Sequence, residues 1–320
     1  MVRIDFVDGN TQFRFYKNPI SIKDYMHGEK GKIESDRIDK KIKNHVRTPF
    51  GDYADITDKD IEVLTPLEKE LRHQRSVISS ANRAISTVYS YARGNVWDWF
   101  ITLTFDKEKI DRYNYSECSK KMRTWLNNLR KKYAPDLKYL IVPEEHKGSN
   151  SECKCLECDT VYRNNMNCCP ECKSTNKVYA WHFHGLLSNT GLIKFNKAFN
   201  KNTGEVLITK SGLDKYNFGS YKLGFNEATQ VTDTAKVSSY ITKYITKELC
   251  IKTKGFRRFY PSANLEYPSK SFYLYEDKEK IEFLKENKKR ITYNKEVRVK
   301  VGSFENTTNY IEIDWSKENV

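Results

Sequence analysis

Six of the eight cysteines in this 320-residue chain fall between Cys153 and Cys172. They include two C-x-x-C pairs, Cys155/Cys158 and Cys169/Cys172, and Pro170 follows Cys169 as part of a tight knuckle. In a reducing compartment this spacing reads as a tetrahedral zinc ribbon; in an oxidising one the same thiols could form a disulfide knot. Cys153 and Cys168 stand beside the pairs, and either could replace a ligand through C-x-C or C-x-x-x-C spacing. Four protein ligands leave no open position on the metal, so the expected Zn²⁺ is structural.

The compartment follows from the rest of the chain. The longest run free of Lys, Arg, Asp and Glu is Val178–Ile193, which still carries two His, so no transmembrane helix is expected. Arg3 and Asp5 stand where a secretory signal would need an apolar stretch. A soluble cytoplasmic protein is the expectation. A formal charge of +14 with 13% aromatic residues fits a folded chain with a polyanionic partner, nucleic acid foremost.

Local signals place several elements. Thr65-Pro66-Leu67-Glu68 is a capping box with Pro at the first helical position, and Gly94 ends the helix it opens. Arg3–Tyr16 alternates like one or two strands, and Asp36–Asn44 is a solvated stretch of mixed charge. Phe100–Phe105 reads as a strand, Ser116–Tyr133 as an amphipathic helix, and Lys138–Val142 as a strand running into Pro143-Glu144-Glu145-His146. A strand over Val178–Leu187 follows the cysteines, and Asp233 caps a helix expected to run through Leu249. No phosphate-binding G-x-x-x-x-G-K-[ST] loop occurs, so the chain encodes no recognisable NTPase motor.

Two constellations carry chemistry. Strand alternation puts His182 and His184 on one face, where they could occupy two positions on one ion. Glu144 ends the preceding strand; if the two strands pair, its carboxylate completes a site suited to Mg²⁺ or Mn²⁺. Glu145 and His146 are less favoured ligands. Such a pair also occurs as satisfied structural histidines. On the expected last helix, a four-residue step turns about 40° net, which stacks Tyr240 over Tyr244 with Lys243 and Lys247 alongside. That border between core and cationic surface suits a phenol attacking a phosphodiester, with Lys stabilising developing charge. It equally suits tyrosines edging an amphipathic helix with snorkelling lysines.

Taken in order, these motifs resemble those of HUH endonucleases, the rolling-circle replication initiators. Phe100–Phe105 is similar to the family's first motif, and Trp181-His182-Phe183-His184-Gly185-Leu186-Leu187 to its His-hydrophobe-His second motif. Val142-Pro143-Glu144 resembles the strand supplying a third ligand, and Tyr240–Lys247 the two-tyrosine third motif of initiators from small single-stranded DNA phages and related plasmids. The His-before-Tyr order is that of initiators, and the cysteine insertion is a departure from the family pattern.

The resemblance implies an α+β fold, a central antiparallel sheet flanked by helices, into which the zinc ribbon read from the cysteine spacing would be inserted. It implies a 96–250 nicking domain carrying a 150–177 ribbon, between a basic 1–95 region with a long helix and a basic, aromatic 251–320 region. Glu144, His182 and His184 would hold one Mg²⁺ or Mn²⁺; Tyr240 or Tyr244 would attack DNA, leaving a 3′-OH and a 5′-phosphotyrosine adduct. Lys243 and Lys247 would assist. The implied partners are single-stranded or locally unwound origin DNA and a separate helicase and polymerase. Arg123, Arg130, Lys131, Lys252, Lys254, Arg257 and Arg258 are candidate phosphate contacts. The competing readings are a two-tyrosine HUH transposase and a non-enzymatic zinc-ribbon protein that binds nucleic acid.

Overall fold

In a computed structural model of the chain, residues 2–7, 10–16, 65–273, 276–301, 304–315 and 317 are described; the expected charged stretch Asp36–Asn44 lies outside them. The chain order begins with β1 (Val2–Val7), β2 (Asn10–Tyr16), α1 (Pro66–Arg93), β3 (Trp99–Thr104), α2 (Tyr115–Lys132) and β4 (Lys138–Glu145). Then come β5 (Glu152–Cys155), β6 (Val161–Arg163), β7 (Lys177–Tyr179), β8 (Trp181–Ser188), β9 (Phe195–Lys197), β10 (Tyr216–Phe218) and β11 (Asn226–Gln230). The rest is α3 (Thr234–Thr242), α4 (Lys247–Lys252), β12 (Tyr260–Pro261), β13 (Ser269–Tyr273), α5 (Asp277–Glu286), β14 (Ile291–Val301) and β15 (Phe304–Asp314).

The fold is mixed α+β, built on antiparallel sheets, as expected. Its units are drawn differently from the expected 1–95, 96–250 and 251–320. One compact unit is Ser80–Tyr267; the other joins Met1–Ser79 to Pro268–Val320. In the latter the two chain ends share a five-stranded sheet, β13-β1-β2-β15-β14. Val2, Phe13, Phe15, Ile311 and Ile313 form its core, with Phe283 of α5 packed 4.8 Å from Phe13 between ring centroids. Strand pairing across most of the chain length leaves no local signature, so sequence reading kept these ends apart.

The Ser80–Tyr267 unit carries a seven-stranded sheet, β12-β4-β8-β3-β11-β10-β9. The β8 strand lies between β4 and β3, and its register sets Glu144 opposite His182, Val142 opposite His184 and Thr102 opposite His184. Residues directly opposite share a face, so Thr102, Glu144, His182 and His184 line one side of the sheet. Phe183 points to the other side, where it meets Tyr260, whose hydroxyl bonds Ser119 of α2 at 2.7 Å. Thus α2 covers that side, with Met122, Leu126 and Leu129 buried.

Gly185 sits opposite both Ile141 and Ile101. A Cβ there would stand 2.2 Å from Ile141 Cδ1 and 3.3 Å from Ile101 Cγ1, so any side chain at this position would have to push the Ile141 tip aside.

The capping box forms as expected. Thr65 N donates to Glu68 Oε2 at 2.8 Å, and Glu68 N to Thr65 Oγ1 at 3.3 Å. Two expected elements are divided. The strand read as Val178–Leu187 is β7 and β8, separated by Ala180 and belonging to different sheets. The helix read from Asp233 through Leu249 stops at Thr242 and restarts at Lys247. Thr246 takes extended backbone (φ −105°, ψ 164°) and its Oγ1 accepts from Leu249 N at 3.0 Å, so it caps α4 and cannot continue α3. The surrounding β-branched run, Ile241, Thr242, Ile245 and Thr246, lowers the cost of the break.

Candidate active site and cysteine metal centre

The cysteine centre is built almost wholly from local sequence. The Sγ atoms of Cys155, Cys158, Cys169 and Cys172 all lie within 4.8 Å of one another. Cys155–Cys172 and Cys158–Cys169 are each 3.5 Å apart. A Zn–S bond of about 2.3 Å implies tetrahedral edges of about 3.8 Å, so these thiols could hold a metal ion such as zinc.

The two halves repeat one geometry. Cys155 N donates to Thr160 O at 2.9 Å and Cys169 N to Ser174 O at 2.8 Å. The residue after each pair, Asp159 or Lys173, has φ 60°, which turns the chain back sharply. Hydrogen bonding to Thr160 pushes the exposed Cys158 thiol down to about 6, towards the thiolate that a metal needs, whereas at Cys172, against a lowering backbone bond at Ser174, desolvation and hydrogen bonds with the other three thiols push the thiol up.

Cys153 is not in the quartet. It is buried beside Tyr162, and its Sγ donates to Tyr162 O at 3.4 Å, so it belongs to the small core of the β6-β5-β7 sheet. Cys168 is outside the quartet as well.

The second site gathers distant segments. His184 Nε2 and Glu144 Oε2 are 2.8 Å apart, and Thr102 Oγ1 is 3.2 Å from His184 Nδ1. The Tyr244 ring stacks on His184 with centroids 3.9 Å apart and planes 6° from parallel. Tyr240 meets Tyr244 edge-on at 5.5 Å and Phe100 at 5.4 Å. The tyrosines therefore do not stack along one helix, as a continuous α3 would require: Tyr240 lies in α3 and Tyr244 in the break after it. Lys243 Nζ stands 5.1 Å over the Tyr240 ring, and Lys247 opens α4, exposed.

Burial, with Tyr240 and Glu144 nearby, pushes the Tyr244 phenol well above its ordinary range. Tyr240 is 44% exposed, so solvent and ligands reach it directly.

The expected ligand set is brought to one face but only partly drawn together. Cis ligands about 2.1 Å from an octahedral ion lie about 3 Å apart, which the Glu144–His184 pair matches. His182 instead packs its ring on His146, with centroids 4.2 Å apart. Burial, then the neighbouring His146 and His184, push His182 down to about 3, so its imidazole is neutral, the ligating form. Among the described residues only the cysteine quartet gathers three or more ligand atoms within 4.8 Å.

A cleft of about 300 Å³ opens beside this face, lined by Glu144, His146, Trp181, Tyr244 and Thr246 among others. Its rim carries four linked charges. Lys252 Nζ lies 2.6 Å from Glu145 and 3.3 Å from Glu248, while Lys147 pairs with the same two carboxylates. Lys147 and, within the Phe100–Phe105 strand, Thr102 and Phe100 carry no site role in the sequence reading. Alternation in Phe100-Ile101-Thr102 could have found the last two, because they share the histidine face; Lys147 gave no signal.

The candidate phosphate contacts are dispersed. Arg123 and Lys131 are exposed on α2, on the opposite side of the sheet from the tyrosines, and Arg130 reaches back to Pro135 O. Lys252 belongs to the rim network. Lys254 and Arg257 are exposed beyond α4, whereas Arg258 is half-buried with its Nη1 on Ser80 Oγ at 2.5 Å.

No described helix is long and apolar enough to cross a membrane. No protein-family model, curated protein or solved structure matches the chain.

Proposed function

We propose that this chain is an HUH-type endonuclease and strand transferase that nicks single-stranded or locally unwound origin DNA and starts rolling-circle replication. One observation carries the reading: Tyr244 lies flat on His184, the same imidazole that Glu144 contacts, with a second, exposed tyrosine edge-on beside it. A structural histidine pair gives no reason for two phenols and a carboxylate to converge on its face.

In this reading a tyrosine Oη attacks the scissile phosphorus, the P–O3′ bond breaks, the tyrosine's proton is released, and the departing oxygen is protonated to a 3′-OH. The 5′-phosphate remains on the tyrosine, so rejoining needs no nucleotide hydrolysis. Glu144, His182 and His184 would hold Mg²⁺ or Mn²⁺, whose chemistry here is to polarise the phosphate. Lys243, over the Tyr240 ring, offsets negative charge as phenolate character develops. The second tyrosine allows a second cleavage while the first still carries a strand. Unwinding and synthesis fall to a separate helicase and polymerase. Zn²⁺ is the proposed occupant of the cysteine quartet.

The test is a denaturing gel of full-length protein incubated with Mn²⁺ and a pool of single-stranded oligonucleotides from candidate origins. Wild type should form a covalent adduct, and each single Tyr→Phe variant should retain part of it. The Tyr240→Phe/Tyr244→Phe double variant should lose it by on the order of 10³-fold or more, as expected when a nucleophile is removed. Adducts surviving in the double variant would put the chemistry elsewhere; none from wild type would end the nicking reading.

A further inference from the structure

The cysteine module is built unlike a DNA clamp. Over residues 150–177 the acidic and basic side chains number four each and cancel, in a chain of net charge +14. What distinguishes the module is how it is fastened to the cleft. Tyr179, on β7, packs into the module's own core beside the buried cysteines. Over the same ring stand two ammonium groups, Lys147 Nζ at 5.5 Å and Lys252 Nζ at 5.8 Å from its centroid. These are the two lysines that tie Glu145, at the end of β4, to Glu248 on α4.

Two further bonds run the same way: Ser151 Oγ donates to His146 O at 2.8 Å, and Asn164 Nδ2 to Lys147 O at 2.9 Å. The segment Glu144–Lys147 and α4, held at Lys252 and through it at Glu248, are therefore fastened from the module side. A cation over an aromatic face gains most when both are partly removed from water, as Tyr179 is here.

We propose that the cysteine module is a positioning clamp for the tyrosine site, acting through Tyr179. Metal held by Cys155, Cys158, Cys169 and Cys172 thereby sets the turnover of DNA cleavage and not the affinity for DNA. Without the metal, β5 to β7 lose their anchor, Tyr179 leaves the two lysines, and the ends of β4 and α4 loosen together. Tyr179 is a positioning residue; it touches neither DNA nor the reacting atoms. The turnover part rests on the nicking reading; the mechanical part does not.

The experiment uses full-length protein carrying Tyr179→Leu, Tyr179→Phe or Cys172→Ser, in excess Mn²⁺, with two readouts. The first is oligonucleotide cleavage. Tyr179→Leu and Cys172→Ser should lower kcat about tenfold with KM within about twofold, since small misplacements of reacting groups are costly, while Tyr179→Phe keeps its π face and stays near wild type. The second is hydrogen exchange, which needs no activity. Peptides from Glu144 to Gly148 and from Tyr244 to Lys252 should exchange faster in Tyr179→Leu and Cys172→Ser, and not in Tyr179→Phe. A rise in KM at constant kcat would make the module a DNA-contact surface and overturn the proposal. Faster exchange confined to the module would overturn it too. If wild type cleaves nothing, the nicking reading falls and exchange alone decides the clamp.

Discussion

The cysteine centre and the tyrosine site sit beside each other and are specified in opposite ways. The first is written in two short, similar stretches, each a C-x-x-C followed by a left-handed residue. The second draws Thr102, Glu144, His182, His184, Tyr240 and Tyr244 from β3, β4, β8, α3 and the break after α3. A centre made of adjacent residues would depend on a bound metal and little else. A centre made of distant residues depends on the whole sheet that sets their register. The difference predicts how each should fail.

The largest effect should follow loss of the buried thiols. Cys155→Ser with Cys169→Ser removes half the quartet, and structural zinc contributes on the order of 10 kcal/mol to folding of small modules. The expected result is loss of one metal equivalent by elemental analysis and new proteolysis between Glu152 and Tyr179, with the core of the seven-stranded sheet still folded. Global unfolding would mean that the centre is not local.

The next effect is on the other side of the comparison. Gly185→Ala forces a methyl against Ile141 in the middle of the sheet, and overpacking of this kind costs about 1–3 kcal/mol. The urea midpoint of the Ser80–Tyr267 unit should fall while metal content stays unchanged.

The smallest is Thr246→Ala, which deletes the cap of α4 at a typical cost of about 1 kcal/mol. Its stability loss should be slight, but adduct formation through Tyr244, assayed in a Tyr240→Phe background, should drop by more than adduct formation through Tyr240 in a Tyr244→Phe background. Equal losses would separate the helix break from Tyr244's placement.

Legibility in the sequence followed the same division. Thr65 with Glu68, Asp233, and the cysteine pairs are short-range signals, and each marks the element or centre it announced. Period-two alternation was enough to put His182 and His184 on one face and to set Glu144 against them, given that β4 and β8 pair. It could not reveal that His182 rests on His146, because that is a choice of rotamer. Nor could it reveal the break after α3. Val237, Ile241, Ile245 and Leu249 keep a four-residue spacing that one long helix and two short ones satisfy equally. The shared sheet of the two chain ends and the Tyr179 contacts join segments with no common periodicity.

Ala180 is the single residue between β7, which belongs to the cysteine sheet, and β8, which carries the histidines. The module is therefore geared to the site by parity. Between the two cysteine knuckles, the outer turn at Asn165–Asn167 can lengthen or shorten without breaking the quartet or the bond from Asn164 to Lys147. One residue added at Ala180 cannot be absorbed that way. If the module held Tyr179 in place, every side chain of β8 would turn over, sending both imidazoles into the α2 core and Phe183 into the cleft. The module's length is free at that outer turn and fixed at the single residue that joins it to β8.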